Sequence, residues 1–391
     1  MIETAIENSP QNCNPDVTTD NLHSPFVMPV DWSDYMTSCE KYEKLSDASL
    51  KLRNFDTAVL GGHGVTLKVR YDALCIEYQR ATGNSKVLKL SRGVHKTKQV
   101  VLFARGGYIT LDAIEWFCQQ NITVYLMNYN GELLQVLTPK QPRNSKLNFF
   151  QFLATIPECV NSPSLSIAIE LIRRKTLSQV ATLTKHPELP YQFEAIEALE
   201  NGLHRLHKID TIEGLRQLEG MLAMAYFKCF SDMPIKWEKQ ASKIVPEHWK
   251  KISPRNSPLS YDGSGRRAVN PYHAALNFAL ALLKAQILEA ITIAGLSPDV
   301  GYLHSYEGEN KPSLVFDLME PFRAIVDDMV LSFFQKTTFK KGDFIQSFSG
   351  EARMNEELRR YILASCRVNF IEVDRLCRWL RSTLEDWGGK N

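Results

Sequence analysis

The stretch GYLHSYEGENKPSLVFDLMEPFRAIVDD, residues 301–328, decides how the chain is organised. It sets His304 directly after the apolar run Gly301-Tyr302-Leu303, crosses a polar loop rich in Gly and Asn, and enters an apolar helix carrying Asp317, Glu320 and Arg323. Glu320 follows Asp317 by three residues, so on a helix the two carboxylates share a face. Leu314, Leu318, Phe322, Ile325 and Met329 mark an apolar stripe beside them. Carboxylates at the edge of a core stripe call for a cation. One imidazole and two acids at this spacing suit a metal ligand set. They suit equally an ordinary helix N-terminus, whose acids favour the helix dipole while His304 caps a loop.

Working outward, residues 271–294 form the most apolar helical pattern in the chain, stopped by Gly295 with Pro298 beyond it, and they lead straight into this stretch. Further upstream, a helix over residues 212–230 carries apolar Leu215, Leu218, Leu222 and Ala225 and sets Glu219 against that stripe. A carboxylate there is costly to bury unpaired. Arg216 or Lys228 can satisfy it, and so can a bound cation; the spacing leaves both open.

The rest of the chain divides at about residues 55 and 139. Residues 1–55 are polar and without sustained periodicity, an extension expected to be partly disordered with a short helix over 32–52. From 56 to 139 short β-rich runs follow one another: 58–60, 65–70, 74–79, 87–90, 99–103 and 123–128, separated by Gly61-Gly62, Gly83-Asn84 and Gly106-Gly107. One helix interrupts them, running from the N-cap Thr110 to Gln119. Asn130-Gly131 between two apolar runs predicts a hairpin. From 140 to 391 the apolar residues recur at helical spacing, closing with helices over 350–363 and 364–384. The expected class is α+β, a small N-terminal β-rich domain followed by a larger all-α domain.

With 391 residues, 44% apolar and 23% charged, the chain can bury a sizeable core. Its uninterrupted apolar runs are far shorter than the roughly 20 residues of a membrane span, and a soluble, cytoplasmic protein is expected. Eight cysteines without a CxxC pair argue against a zinc ribbon or a disulfide framework. The net charge is only +2, but residues 233–270 hold eight bases against three acids. Trp237, Trp249 and Tyr261 are interleaved with those bases. A phosphate-tracking surface with stacking platforms has this composition, and so does a solvated linker; nucleic-acid binding is the favoured reading.

LEGMLAMAYF (218–227), NPYHAALNFALALL (270–283), AGLSPDVGYLH (294–304) and SLVFDLMEPFR (313–323) together resemble the universal spacer-acquisition integrase and endonuclease family of CRISPR adaptation. The order and spacing of these motifs match from about residue 56 to the C-terminus. The resemblance implies Glu219, His304 and Glu320 as ligands of Mg²⁺ or Mn²⁺, with Asp317 beside them as a further catalytic acid. It implies Arg323 and Asn277 as DNA contacts, and Lys250, Lys251, Arg266 and Arg267 of the basic segment are expected to join them on phosphates. His273 and Leu280 stand where the family has Asn and Tyr, with Asn270 and Asn277 available to compensate. The implied activity is a metal-dependent DNA endonuclease and integrase that inserts short foreign DNA into a CRISPR array by 3′-hydroxyl attack on a phosphodiester. The implied partners are DNA, a second copy of the chain joined through the β-rich domain, and a small ferredoxin-fold adaptation protein; no membrane is involved. The alternatives are a casposase-like transposon integrase and a non-catalytic DNA-binding scaffold.

Overall fold

Strand β1 (Thr57–Arg70) runs unbroken through Gly61-Gly62, where the sequence suggested a break, because the long strand β4 (Gln99–Ile109) pairs alongside it. The pairing is parallel, from Thr57 opposite Gln99 to Leu67 opposite Ile109, and it carries β4 through Gly106-Gly107 as well. The computed structural model describes residues 57–79, 85–128, 131–139, 144–156, 159, 161–252, 268–304, 312–347, 350–366 and 368–389. All of them belong to one compact unit, Leu50–Asn391. The helix expected over 32–52 lies outside the described residues.

The sheet has six strands in the order β3-β2-β1-β4-β5-β6, with β2 (Ala73–Gln79), β3 (Ser85–Ser91), β5 (Thr123–Met127) and β6 (Leu133–Leu137) completing it. β5 and β6 form the expected hairpin around Gly131, whose φ is +88°. Helix α1 (Leu111–Gln119) links β4 to its parallel neighbour β5, with Thr110 accepting the N-cap hydrogen bond from Ala113. Side chains alternate across the pleat. Val100, Leu102 and Val124 pack with Trp116 and Phe117 of α1, whereas Val101, Phe103, Tyr125 and Met127 join the core of the helical region. The sheet is therefore a middle layer, covered on both faces.

The helical region comprises α2 (Ser145–Leu153), α3 (Ser164–Lys185), α4 (Gln192–Arg205), α5 (Ile212–Lys228), α6 (Pro271–Ala294), α7 (Ser313–Lys336), α8 (Glu356–Ser365) and α9 (Phe370–Gly388). By length and composition α6 is apolar enough to cross a membrane, although no uninterrupted apolar run in it is long. Its place is the middle of the core, where Ala275, Ala279, Ile287 and Ala290 are fully buried. The helix expected to begin at 350 begins instead at Glu356. Residues 352–354 form β8, which pairs with β7 (Phe344–Gln346), and the Ala352 amide donates to the Ala268 carbonyl.

At the C-terminal end of α3 a charged clip ties it to α7. His186 Nε2 lies 2.8 Å from Asp328 Oδ1 and Nδ1 lies 3.2 Å from Glu188, while Lys185 Nζ meets the other Asp328 oxygen at 2.9 Å. Burial works against a charged His186, but Asp328 and Glu188 outweigh it and raise its pKa. Burial likewise opposes a charged Asp328, and His186 and Lys185 prevail, lowering its pKa.

Two measurements check this architecture. Gly107 has φ +138°, and a Cβ there meets the Val65 carbonyl oxygen at 2.0 Å. Gly107→Ala is expected to destabilise the fold by about 3 kcal/mol or more, seen as a lower urea midpoint; an unchanged midpoint contradicts the β1–β4 register. The His186 clip is stabilising while the imidazole is charged, fully so below its ordinary pKa of about 6.5, and the contribution is lost as pH rises through the raised folded-state pKa. Asp328 contributes above its ordinary value of about 3.9 and loses this as pH falls through its lowered pKa. Wild type should therefore exceed His186→Gln most between about pH 4 and 6.5, with the gap closing toward alkaline pH. A pH-independent gap contradicts the charged clip.

Candidate active site

Three helices and one loop meet at the acids singled out in the sequence. Asp317 and Glu320 lie on α7, Glu219 on α5, and His304 at the end of the segment that follows α6. Pro321 lies inside α7 and has no amide hydrogen to donate to the Asp317 carbonyl four residues back, which loosens the helix beside both acids.

Asp317 is fully buried, and its carboxylate accepts from the backbone amides of Tyr302, Leu303 and His304, the last two at 2.9 Å. It also accepts from His304 Nδ1 at 2.7 Å. Nδ1 as donor to a carboxylate leaves Nε2 as the nitrogen with a free lone pair, the arrangement by which carboxylates orient metal-binding imidazoles. Gly301 permits this closeness, since a Cβ at that position comes to 2.7 Å from Asp317 Oδ2 and 2.8 Å from Ser313. Burial pushes the Tyr302 phenol upward in pKa, and the Asp317 charge adds to it.

Two further side chains fix the same segment, and the sequence reading missed the role of both. Buried Gln151 of α2 donates to the carbonyls of Ser297 and Val300 and accepts from the Ser297 amide, all at 2.8 Å. Arg216 of α5 donates to the Leu303 carbonyl through Nε at 2.9 Å and Nη2 at 2.7 Å. Arg216 thus serves the loop rather than neighbouring Glu219.

The partner of Glu219 is Lys175 of α3. Lys175 Nζ contacts Glu219 Oε1 and also lies 2.6 Å from Glu320 Oε2, so one ammonium joins carboxylates from two helices. Arg323 Nε is 3.0 Å from the other Glu320 oxygen, an ion-pair contact rather than a well-directed hydrogen bond. Burial alone raises the Glu320 pKa; Arg323 and Lys175 together overcome it and hold the carboxyl below its ordinary value. The sequence places Lys175 four and eight residues after Leu171 and Ile167, on the apolar face of α3, but does not show which acids it meets.

Glu219 and Glu320 thus come together about Lys175, with His304 held on the adjoining loop by Asp317 of the same helix as Glu320. As the side chains stand, no group of three or more His, Cys, Asp or Glu among the described residues is gathered as a metal cluster. In this arrangement Lys175 stands between the two carboxylates that the resemblance assigns to a metal, and His304 is turned toward Asp317 through Nδ1. The donor set nonetheless suits a hard divalent cation. Two carboxylates already share one cation, and an imidazole with a free Nε2 stands nearby.

The basic segment departs from expectation in its aromatics. Trp237 and Trp249 stack at 6.2 Å and pack with Phe339 and Phe344; their indole nitrogens donate to the carbonyls of Trp249 and Val269. Trp249 is buried in the core and Trp237 packs half-buried against it, so both are engaged inside the protein, while Tyr261 lies outside the described residues. Lys250 pairs with Glu247 at 2.6 Å, Lys251 is exposed, and Arg266 and Arg267 lie outside the described residues. Asn277 is half-buried on α6, one turn beyond buried His273. Asn270 cannot compensate toward DNA, being fully buried as the α6 N-cap and donating to the carbonyls of His248 and Lys251.

Residues 59–367 match the family described as CRISPR associated protein Cas1. A "CRISPR-associated endonuclease Cas1 1" of Thermus thermophilus is 31% identical over 318 residues, covering 78% of this chain and 84% of that protein. A solved "Casposase bound to integration product" superposes with a TM-score of 0.66 and 25% identity, covering 84% of this chain and 91% of its own. A "Cas6-RT-Cas1--Cas2 complex" shares the fold at a TM-score of 0.62 and 18% identity, covering 87% of this chain and 36% of that larger one.

Asp317→Asn turns one acceptor into a donor facing backbone amides that are themselves donors. It is expected to cost about 2–3 kcal/mol in urea unfolding and to release the His304 ring, broadening its proton resonances. A loss below about 0.5 kcal/mol, within the range of ordinary surface changes, contradicts the role given to Asp317.

Proposed function

We propose, from the premise that this chain belongs to the CRISPR-associated Cas1 family, that its carboxylate–histidine site joins and cuts DNA. The protein is a DNA integrase and endonuclease of CRISPR adaptation, which inserts short foreign fragments into a CRISPR array. The observation carrying the site assignment is the pair Glu219 and Glu320 held about one cation, beside a His304 oriented by buried Asp317.

In strand transfer a 3′-hydroxyl attacks phosphorus in line. One O–P bond forms as another breaks, so the number of phosphodiesters is conserved and no external energy source is needed. With water in place of the hydroxyl the same geometry cuts DNA. Glu219, Glu320 and His304 Nε2 would hold Mg²⁺ or Mn²⁺. When bound, such an ion neutralises charge developing on the non-bridging and leaving oxygens. Asp317 fixes the His304 tautomer and the loop carrying it. Arg323, one third exposed beside Glu320, supplies positive charge to a phosphate. Lys250, Lys251, Arg266, Arg267 and Asn277 are proposed DNA contacts outside the reacting centre. A homodimer joined through the sheet, a small ferredoxin-fold partner and a cytoplasmic setting complete the reading. The likeness to a casposase favours a second reading with the same chemistry, a transposon integrase.

The test is integration of a labelled short duplex into a plasmid carrying a CRISPR repeat, with Mg²⁺ or Mn²⁺. Glu320→Gln and His304→Ala are expected to reduce strand transfer by more than about a hundredfold while duplex binding persists. Equal activity in both variants contradicts the site. Activity absent from wild type, with DNA binding retained, favours the scaffold. Neutralising Lys250, Lys251, Arg266 and Arg267 together is expected to weaken binding to all sequences alike, lowering the log–log salt slope by roughly 0.9 per lost contact. A loss confined to the repeat contradicts phosphate contacts.

A further inference from the structure

Lys175 has an unusual position for a lysine. It lies on the buried face of α3, 8% exposed, and its ammonium is shared between Glu219 of α5 and Glu320 of α7. Lysines are almost never this buried unless paired, and a buried pair that loses one partner leaves an uncompensated charge. With Arg323 also against Glu320, two carboxylates face two cationic groups, and the local charge is balanced without any further ion. A divalent cation added between the same carboxylates would leave this cluster with an excess of two positive charges. A lysine ammonium and a divalent ion also cannot both occupy the space between Glu219 Oε1 and Glu320 Oε2. The lysine stem, four methylenes long, lets the ammonium move away without moving the helix.

We infer that Lys175 is an exchangeable internal counter-ion: it holds the two carboxylates together when no divalent ion is bound, and a divalent ion must displace it to bind. This inference rests on the metal reading of the site given above. Two consequences follow. The carboxylates stay gathered, so the site need not be assembled by the metal. The affinity for the metal is also lowered by the competition, which makes occupancy depend on the free divalent concentration.

The experiment uses the full chain and reads metal binding directly. Mn²⁺ binding is measured by calorimetry and by electron paramagnetic resonance for wild type, Lys175→Met and Lys175→Arg, and thermal unfolding is followed in chelator and in Mn²⁺. Lys175→Met is expected to bind Mn²⁺ at least about tenfold more tightly than wild type, since a like charge a few ångströms from the ion opposes it by more than one decade. Lys175→Arg, which keeps the charge, should stay near wild type. Lys175→Met should melt lower in chelator, and Mn²⁺ should raise its Tm by more than it raises the wild-type Tm. Should Lys175→Met fail to fold in chelator, recovery of the fold by Mn²⁺ supports the inference and lack of recovery overturns it. Wild type that binds Mn²⁺ together with a Lys175→Met that binds it equally or more weakly overturns the inference alone, and identifies Lys175 as an aid to the ion. Absence of Mn²⁺ binding in both proteins overturns the metal reading itself.

Discussion

Two carboxylates on α7, Asp317 and Glu320, are carried into an apolar core, and the arrangement around the site follows from satisfying them. Asp317 has no exposure to water, so its charge is met by three backbone amides and one imidazole. That requirement draws the loop at 302–304 against the helix and fixes the orientation of His304. Glu320 cannot use the same donors and is met by Lys175 and Arg323 instead. Removing one partner of a buried charge costs about 3–5 kcal/mol, enough to explain why side chains from α3, α5 and α7 all converge here.

The same requirement links the site to the fold. The α6 core helix ends at Gly295, in a left-handed conformation, and Gln151 of α2 and Arg216 of α5 hold the segment beyond it. A loop positioned from three sides keeps one shape, which a site needing ligand atoms from separate elements requires. The sheet contributes through packing. Its inner face shares the core of α6 and α7, and the outer face is closed by α1.

Much of this was legible in the sequence because it is local. The hairpin at Gly131, the cap at Thr110, the Gly295 stop and the Asp317/Glu320 spacing each depend on neighbours a few residues away. What escaped depends on partners far along the chain. Gly61-Gly62 reads as punctuation until β4 is known to pair with it, and 350–354 reads as a helix start until β7 and Ala268 supply its partners. Trp237 and Trp249 look like stacking platforms among lysines until Phe339 and Phe344 are seen to enclose them. Lys175 is 44 residues from Glu219, and only the packing of α3 on α5 and α7 reveals that it supplies the cation the acids call for.

The central claim is that Glu219, Glu320 and His304 constitute one divalent-cation site. Anomalous diffraction from crystals grown with Mn²⁺ tests it most directly. The account predicts a single strong peak within about 2.0–2.6 Å of a Glu219 oxygen, a Glu320 oxygen and His304 Nε2, with Asp317 still bound to Nδ1. A peak elsewhere, for example beside Asp327 and Asp328, or His304 bound through Nδ1, would contradict it.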